Sequence, residues 1–177
     1  MAICKQKKKK DEGKLFEGDI KASIPPEFFI ERYKDDTAGF KGVANPADFR
    51  LYKYPNTLLW ELKTHKGKSI PLSKIRSSQL NGMRKAKRYR GVYCGFLLNY
   101  RELEETYYVP FNDLVYAYYC EVLNAKGVYE YTPKPKGRKS IPVDWCREYG
   151  IRIFQTKKRV RYFYDLEEFL DEYFMWL

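Results

Sequence analysis

The sequence predicts an α/β domain in which helices flank one mixed sheet, and three observations carry that reading. Two apolar runs, residues 47–53 and 57–64, flank a Tyr54-Pro55-Asn56 break and read as an antiparallel hairpin. Residues 91–100 are nearly all apolar, the pattern of a central strand buried on both faces. Apolar residues recur at helical spacing in 11–23, from Ser77 or Ser78 to Arg90, in 112–124 and in 165–177. At 177 residues and 44% hydrophobic content, the chain can bury one proper core and is short for two. A basic arm over residues 1–10 and a single domain over 11–177 are the expected division.

Taken in order, the lysine-rich arm is a solvated tail or a source of nonspecific phosphate contacts. The helix over 11–23 places Phe16 and Ile20 on one side and Glu17 and Lys21 on a neighbouring one, where they can pair as i and i+4; Pro25-Pro26 stops it. Residues 27–33 read as a short helical piece. Residues 34–45, with Gly39 and Gly42, read as a loop in which Phe40 and Lys41 are available for stacking and phosphate contact.

The hairpin can be given a register by polarity. If residue 54 faces 57, then 49 faces 62 and 51 faces 60, which gathers Phe49, Leu51, Leu58, Trp60 and Leu62 on one face. Asp48, Glu61 and Lys63 are left together on the other face, and a one-residue slip would set acids against core residues. Side chains in such a pair lie ~5 Å apart when opposed and ~7–8 Å when diagonal, close enough for Asp48 and Glu61 to grip a divalent cation. Hard oxygen donors suit Mg²⁺ or Mn²⁺, and Lys63 would orient a bound water or meet developing negative charge.

A basic turn, Lys66-Gly67-Lys68, follows, and then a short third strand over 69–72 completes a meander. The next helix turns Leu80, Met83 and Ala86 towards the sheet, has Gln79 in its first turn, and carries Arg84, Lys85, Lys87, Arg88 and Arg90 on its far side without an acid among them. Lys66, Lys68, Arg84, Lys85, Lys87 and Arg88 are therefore the candidate DNA contacts. Residues 105–111 should pair with the central strand. Asn112 should cap a helix running to Asn124, with Leu114, Val115, Tyr118 and Val122 inward and Gly127 as its stop. Beyond 128, residues 151–156 and 161–164 read as a hairpin around Lys157-Lys158-Arg159, and the last helix carries a stripe of Leu166, Phe169, Leu170, Tyr173 and Phe174 that must pack on something.

Composition limits the partners. Thirty-four basic against 23 acidic residues give a net charge of +11, which favours a polyanion. Cys4, Cys94, Cys120 and Cys146 form no CxxC pair and His65 is the sole histidine, so a zinc site is not expected. With neither a signal-peptide pattern nor ~18 consecutive apolar residues, a cytoplasmic protein is expected.

Pro46-Ala47-Asp48 followed by Glu61-Leu62-Lys63 resembles the PD-(D/E)XK nuclease signature. The wider order, from Gly13-Lys14-Leu15-Phe16-Glu17 through ADF and ELKTHKGKSIPL to Gln79 and the strand beginning at Gly91, resembles RecU-type Holliday junction resolvases over residues 13–120. That resemblance implies a restriction-endonuclease-like fold and a Mg²⁺- or Mn²⁺-dependent endonuclease acting on four-way DNA junctions. It implies metal held by Asp48, Glu61 and the Leu62 carbonyl, and Lys63, Glu17 and Gln79 as further catalytic residues. Two departures stand out: Leu59 where members often carry another acid, and Ser78 where they often carry histidine; the stalk segment before the hairpin is also shorter. A PD-(D/E)XK nuclease of other DNA specificity and a non-catalytic nucleic-acid-binding module are the alternative readings. Two-fold junction symmetry makes a homodimer the expected active species, joined through the last helix or the edge of the Asp48 hairpin.

Overall fold

The computed structural model describes residues 11–33 and 45–175, so the expectations for the basic arm and for Phe40 and Lys41 lie outside the described residues. A six-stranded mixed sheet forms the centre, in the order β1 (Phe29–Arg32), β2 (Phe49–Lys53), β3 (Asn56–His65), β5 (Val92–Tyr100), β6 (Glu105–Pro110) and β10 (Ile151–Ile153). The β3–β5 pair is parallel and every other pair in this sheet is antiparallel. The α/β sheet flanked by helices is thus present as expected.

Helix α1 (Glu12–Ser23) begins where Asp11 accepts hydrogen bonds from the amides of Gly13 (3.1 Å) and Lys14 (3.4 Å). It ends where Ile24, the residue before a proline, turns extended. Its Phe16 and Ile20 pack with Leu166, Phe169 and Leu170 of α5 (Leu166–Met175) against Phe49, Leu51, Leu58, Trp60 and Leu62. The stripe on the last helix is therefore spent within its own domain. On the other face, Leu59, Cys94, Phe96 and Leu98 pack against Leu80 and Met83 of α2 (Ser77–Ala86), Leu114 and Val115 of α3 (Phe111–Tyr118), and Val143 and Cys146 of α4 (Val143–Tyr149). Among the described residues, no helix is long and apolar enough to cross a membrane.

Several elements differ from the sequence reading. Residues 29–32 pair with β2 as a strand instead of forming a helix, because seven residues behind two prolines gain more by completing an open strand edge than from two helical turns. The hairpin's faces are as expected but its register is tighter by two: Phe49 faces Trp60 and Leu51 faces Leu58 around a Tyr54-Pro55 turn. The strand β4 (Ser69–Pro71) leaves the sheet to pair with β9 (Ser140–Pro142), burying Ile70 against Ile141, since β5 takes the whole free side of β3. The helix expected to reach Asn124 stops at Tyr118, and β7 (Tyr119–Leu123) pairs with β8 (Tyr129–Pro133), leaving Val122 exposed. The last hairpin is β11 (Gln155–Lys158) with β12 (Arg161–Tyr164), while 151–153 join the main sheet as β10. Helix α2 stops at Ala86, short of Arg90. Gly91 then turns back with φ +78 so close to Pro55 that a Cβ would meet its carbonyl oxygen at 3.0 Å.

Candidate active site

Alternation along β3 sends Leu58, Trp60 and Leu62 to the α1–α5 face, and Glu61 and Lys63 to the face of α2. The observed register carries the ladder one step past β2: the Asp48 amide donates to the Trp60 carbonyl at 3.0 Å, which sets Asp48 beside Glu61. At the next ladder position, where no strand residue remains to pair, the Asp48 carboxylate accepts the Leu62 amide at 2.7 Å. The N–H and C=O of one strand residue point to the same side, so the Leu62 carbonyl lies on Asp48's side of β3.

Glu61 is 1% exposed and is the centre of the cluster. The Lys63 ammonium and the Gln79 side-chain amide both donate to its Oε1. Burial above all pushes the Glu61 carboxyl up to about 7; the nearby Asp48 charge adds to this, while Lys63 and Arg76 oppose it. Gln79 is held from both ends, since its Oε1 accepts the Arg76 amide at 3.0 Å and closes the first turn of α2. Cap residue and site residue are therefore one side chain. Helix α2 also abuts the Asp48 loop: a Cβ at Gly82 would lie 2.8 Å from Pro46 Cα.

Glu17 reaches the hairpin from the other face of the sheet. Its Oε2 accepts from Arg32 Nε at 2.8 Å and lies 2.6 Å from Nη2, and Arg32 is the ladder neighbour of Phe49. Glu17 is thus tied to the strand next to Asp48 through an arginine, a partner that the sequence reading did not foresee. Arg76 and Lys74 were also missed. Arg76 is exposed at the start of α2 and its charge is felt by Glu61, and Lys74 donates to the Thr64 carbonyl at 2.7 Å. The one available signal for Arg76 was a cation three residues before Gln79.

The candidate DNA contacts divide. Lys66 and Lys68 are exposed beyond the end of β3, Lys66 at 4.0 Å from Glu12. Lys85 is exposed on α2 and Arg88 is exposed just past its end. Arg84 is instead ion-paired to Glu121 of β7 and stacked 3.6 Å from the Tyr129 ring, and Lys87 donates to Asn112 and lies 5.4 Å from the Phe111 ring. The basic face of α2 is therefore smaller than its sequence suggests, because strands remote in sequence supply counter-charge.

Two carboxylates and one backbone carbonyl make a hard-oxygen donor set. Among the described residues, no group of three or more His, Cys, Asp and Glu side chains is clustered for a metal. That set fits a small divalent cation such as Mg²⁺, which keeps several waters and takes only part of its shell from protein.

Comparison with known proteins places this arrangement in context. The profile of the family described as Recombination protein U (RecU) matches residues 48–168, a span that includes Asp48, Glu61, Lys63 and Gln79. An SPbeta prophage-derived uncharacterized protein, YotM of Bacillus subtilis (strain 168), is 34% identical over 176 residues, covering 92% of this chain and 86% of that protein. The Holliday junction resolvase RecU of Streptococcus pneumoniae serotype 19F (strain G54) is 29% identical over 91 residues, which span 51% of this chain but only 38% of that resolvase. Among solved structures, Hjc of Archaeoglobus fulgidus, a Holliday junction resolvase from an archaeal hyperthermophile, matches with a TM-score of 0.45 and 14% identity over 80% of this chain and 92% of that one. With the family profile matching well over half of its residues, this chain belongs to the RecU family.

Proposed function

We propose that this protein is a divalent-metal-dependent endonuclease that resolves four-way DNA junctions and acts as a homodimer. The observation that carries the reading is the convergence of Asp48, Glu61, Lys63 and Gln79 at one strand edge in a chain of the RecU family. Bound Mg²⁺ or Mn²⁺ would neutralise charge on the phosphodiester and acidify a water. Asp48, Glu61 and the Leu62 carbonyl are the donors this chain offers such an ion. Lys63 then exchanges Glu61 for the attacked phosphate, where its ammonium meets the negative charge that builds up in hydrolysis. Gln79, fixed by its cap bond, keeps Glu61 aimed while Lys63 moves. Arg76, Lys66 and Lys68 lie around this edge as phosphate contacts that hold the duplex in place.

The test is cleavage of a labelled four-way junction and a matched linear duplex, with and without Mg²⁺. Junction-selective, Mg²⁺-dependent nicking is expected, and Asp48→Ala should abolish it while binding DNA as well as or more tightly than the parent, because an acid facing phosphate repels it unless a cation lies between. Cleavage by Asp48→Ala near the parent rate would sink the assignment, and equal cutting of linear duplex would move the enzyme to another DNA specificity. Two opposed nicks call for two sites, and each chain has one set of Asp48, Glu61 and Lys63, so sedimentation at micromolar concentration should give about twice the 21.2 kDa chain mass. A monomer that nicks both strands symmetrically would remove the dimer from the scheme.

A further inference from the structure

The β11–β12 hairpin lies outside the site just described and has an unusual surface. Residues 151–164 hold five cations, Arg152, Lys157, Lys158, Arg159 and Arg161, and no acid. Two acids from elsewhere take two of these cations: Asp19 of α1 binds Arg161, and Glu104 lies 3.6 Å from Lys157. Arg152, Lys158 and Arg159 have no ion pair among the described residues.

Large apolar groups share this surface with the unpaired cations. Phe154 is 56% exposed, Phe163 43% and Val160, at the tip, 76%. Thr156 faces Phe163 and Lys158 faces Arg161 across the hairpin, so Lys158, Arg161 and Phe163 share one side, and Phe154 lies just before the hairpin, its carbonyl accepting the Asp165 amide at 2.8 Å. Each exposed ring carries a cation: Arg152 lies 5.2 Å from the Phe154 ring centre and Lys158 4.7 Å from that of Phe163.

The hairpin is fixed in place although its outer surface is bare. The Tyr162 amide donates to Asp19 at 3.2 Å, the Tyr164 amide to Ser23 Oγ at 3.0 Å, and the Tyr162 hydroxyl to Glu104 at 2.6 Å. A cleft of about 310 Å³ separates it from the turn after β3, lined by Lys66, Arg101, Val160 and Tyr162 together with the acids Glu12, Asp19 and Glu102, and Glu12 pairs with Arg101 at 2.5 Å and lies 4.0 Å from Lys66. Lys66 is three residues beyond Lys63, about 10 Å along an extended strand.

We infer that this hairpin is a second DNA-contacting surface, on which Phe154 and Phe163 stack against bases unpaired at the junction crossover while Lys158 and Arg159 hold the adjoining phosphates. Exposed rings interleaved with unpaired cations are the combination that grips single-stranded nucleic acid, since every base offers a face to stack on and every nucleotide a charge to neutralise. An acidic protein partner would answer the charge, yet it would leave the flat rings without a matching flat group. The inference rests on the junction-resolving reading and names how that substrate is held.

The test uses the full chain and two double variants, Phe154→Ala with Phe163→Ala, and Lys158→Gln with Arg159→Gln, whose melting temperatures should equal the parent's because all four side chains are exposed. Affinities are measured without divalent metal for a four-way junction, a linear duplex and a duplex with a central unpaired bubble. The phenylalanine pair should weaken junction and bubble binding about tenfold or more and linear duplex less than twofold, and the cation pair should weaken all three and flatten the salt dependence by roughly two phosphate charges. Parental affinity of the phenylalanine variant for junction and bubble alike overturns the inference, even if the parent resolves junctions. Loss of bubble binding in that variant, alongside a parent that cuts no junction, upholds the surface and refutes the resolvase reading instead.

Discussion

At the scale of single residues, Glu61 shows how a site resists its own fold. A carboxyl that is 1% exposed and pushed up to about 7 binds its proton more tightly in the folded chain than in the unfolded one, where about 4.5 is usual. The stability it lends is therefore whole below pH 4.5 and is lost as pH rises through 7. Glu61→Gln should match the parent in thermal stability at pH 5 and exceed it by ~1–3 kcal/mol at pH 8 without divalent metal, while losing metal-dependent cleavage. Melting curves at both pH values check the first part, and a variant less stable than the parent at pH 8 contradicts it. That Asp48, Glu61 and Lys63 come together was legible in the sequence because two short motifs bracket one turn. The clamps on them were not: Arg32 on Glu17 and Gln79 on Glu61 bridge elements whose approach only tertiary packing decides.

At the scale of elements, period-two alternation disclosed which side chains share a face of the hairpin but could not fix its register. Pairings that differ by two residues put the same side chains on the same faces, so polarity cannot choose between them. Helix α2 was legible from its apolar stripe, and its charged face was misread in part, since Glu121 and Tyr129 come from the strands that replaced the end of a longer expected helix. The two kinds of cation on and just after α2 should separate by experiment. Arg84→Gln strips a half-buried ion pair and should cost on the order of 1–3 kcal/mol of stability with little change in the salt dependence of DNA binding. Neutralising Lys85 and Arg88 together should leave stability within about 0.5 kcal/mol and lower the salt slope by ~0.9 for each phosphate left without its cation. If Arg84→Gln changes the slope more than the Lys85 and Arg88 pair does, the division drawn between them is wrong.

At the scale of the molecule, the α/β sheet with flanking helices was legible, since one continuous apolar strand and four helical stripes leave few other layered arrangements. Strand order was not, because β1, β4 and β10 are three or four residues long and their partners are chosen by open edges rather than by their own patterns. One of those long-range choices sets the order in which the protein can be completed. Asp19 lies buried on the first helix, the arginine that neutralises it stands 142 positions later, and the amides that bind Asp19 and Ser23 stand 143 and 141 positions after them. At ~5–20 residues per second, a ribosome needs roughly 7–28 s to make that stretch. The helix made first is thus the last to find its seat, and until then its apolar side and its acid wait in the open. Chains ended at residue 150 should remain in that waiting state: rapidly proteolysed and prone to aggregate, although every residue of the Asp48 cluster is present. A truncated chain as protease-resistant as the parent would show that the first helix seats without the last hairpin.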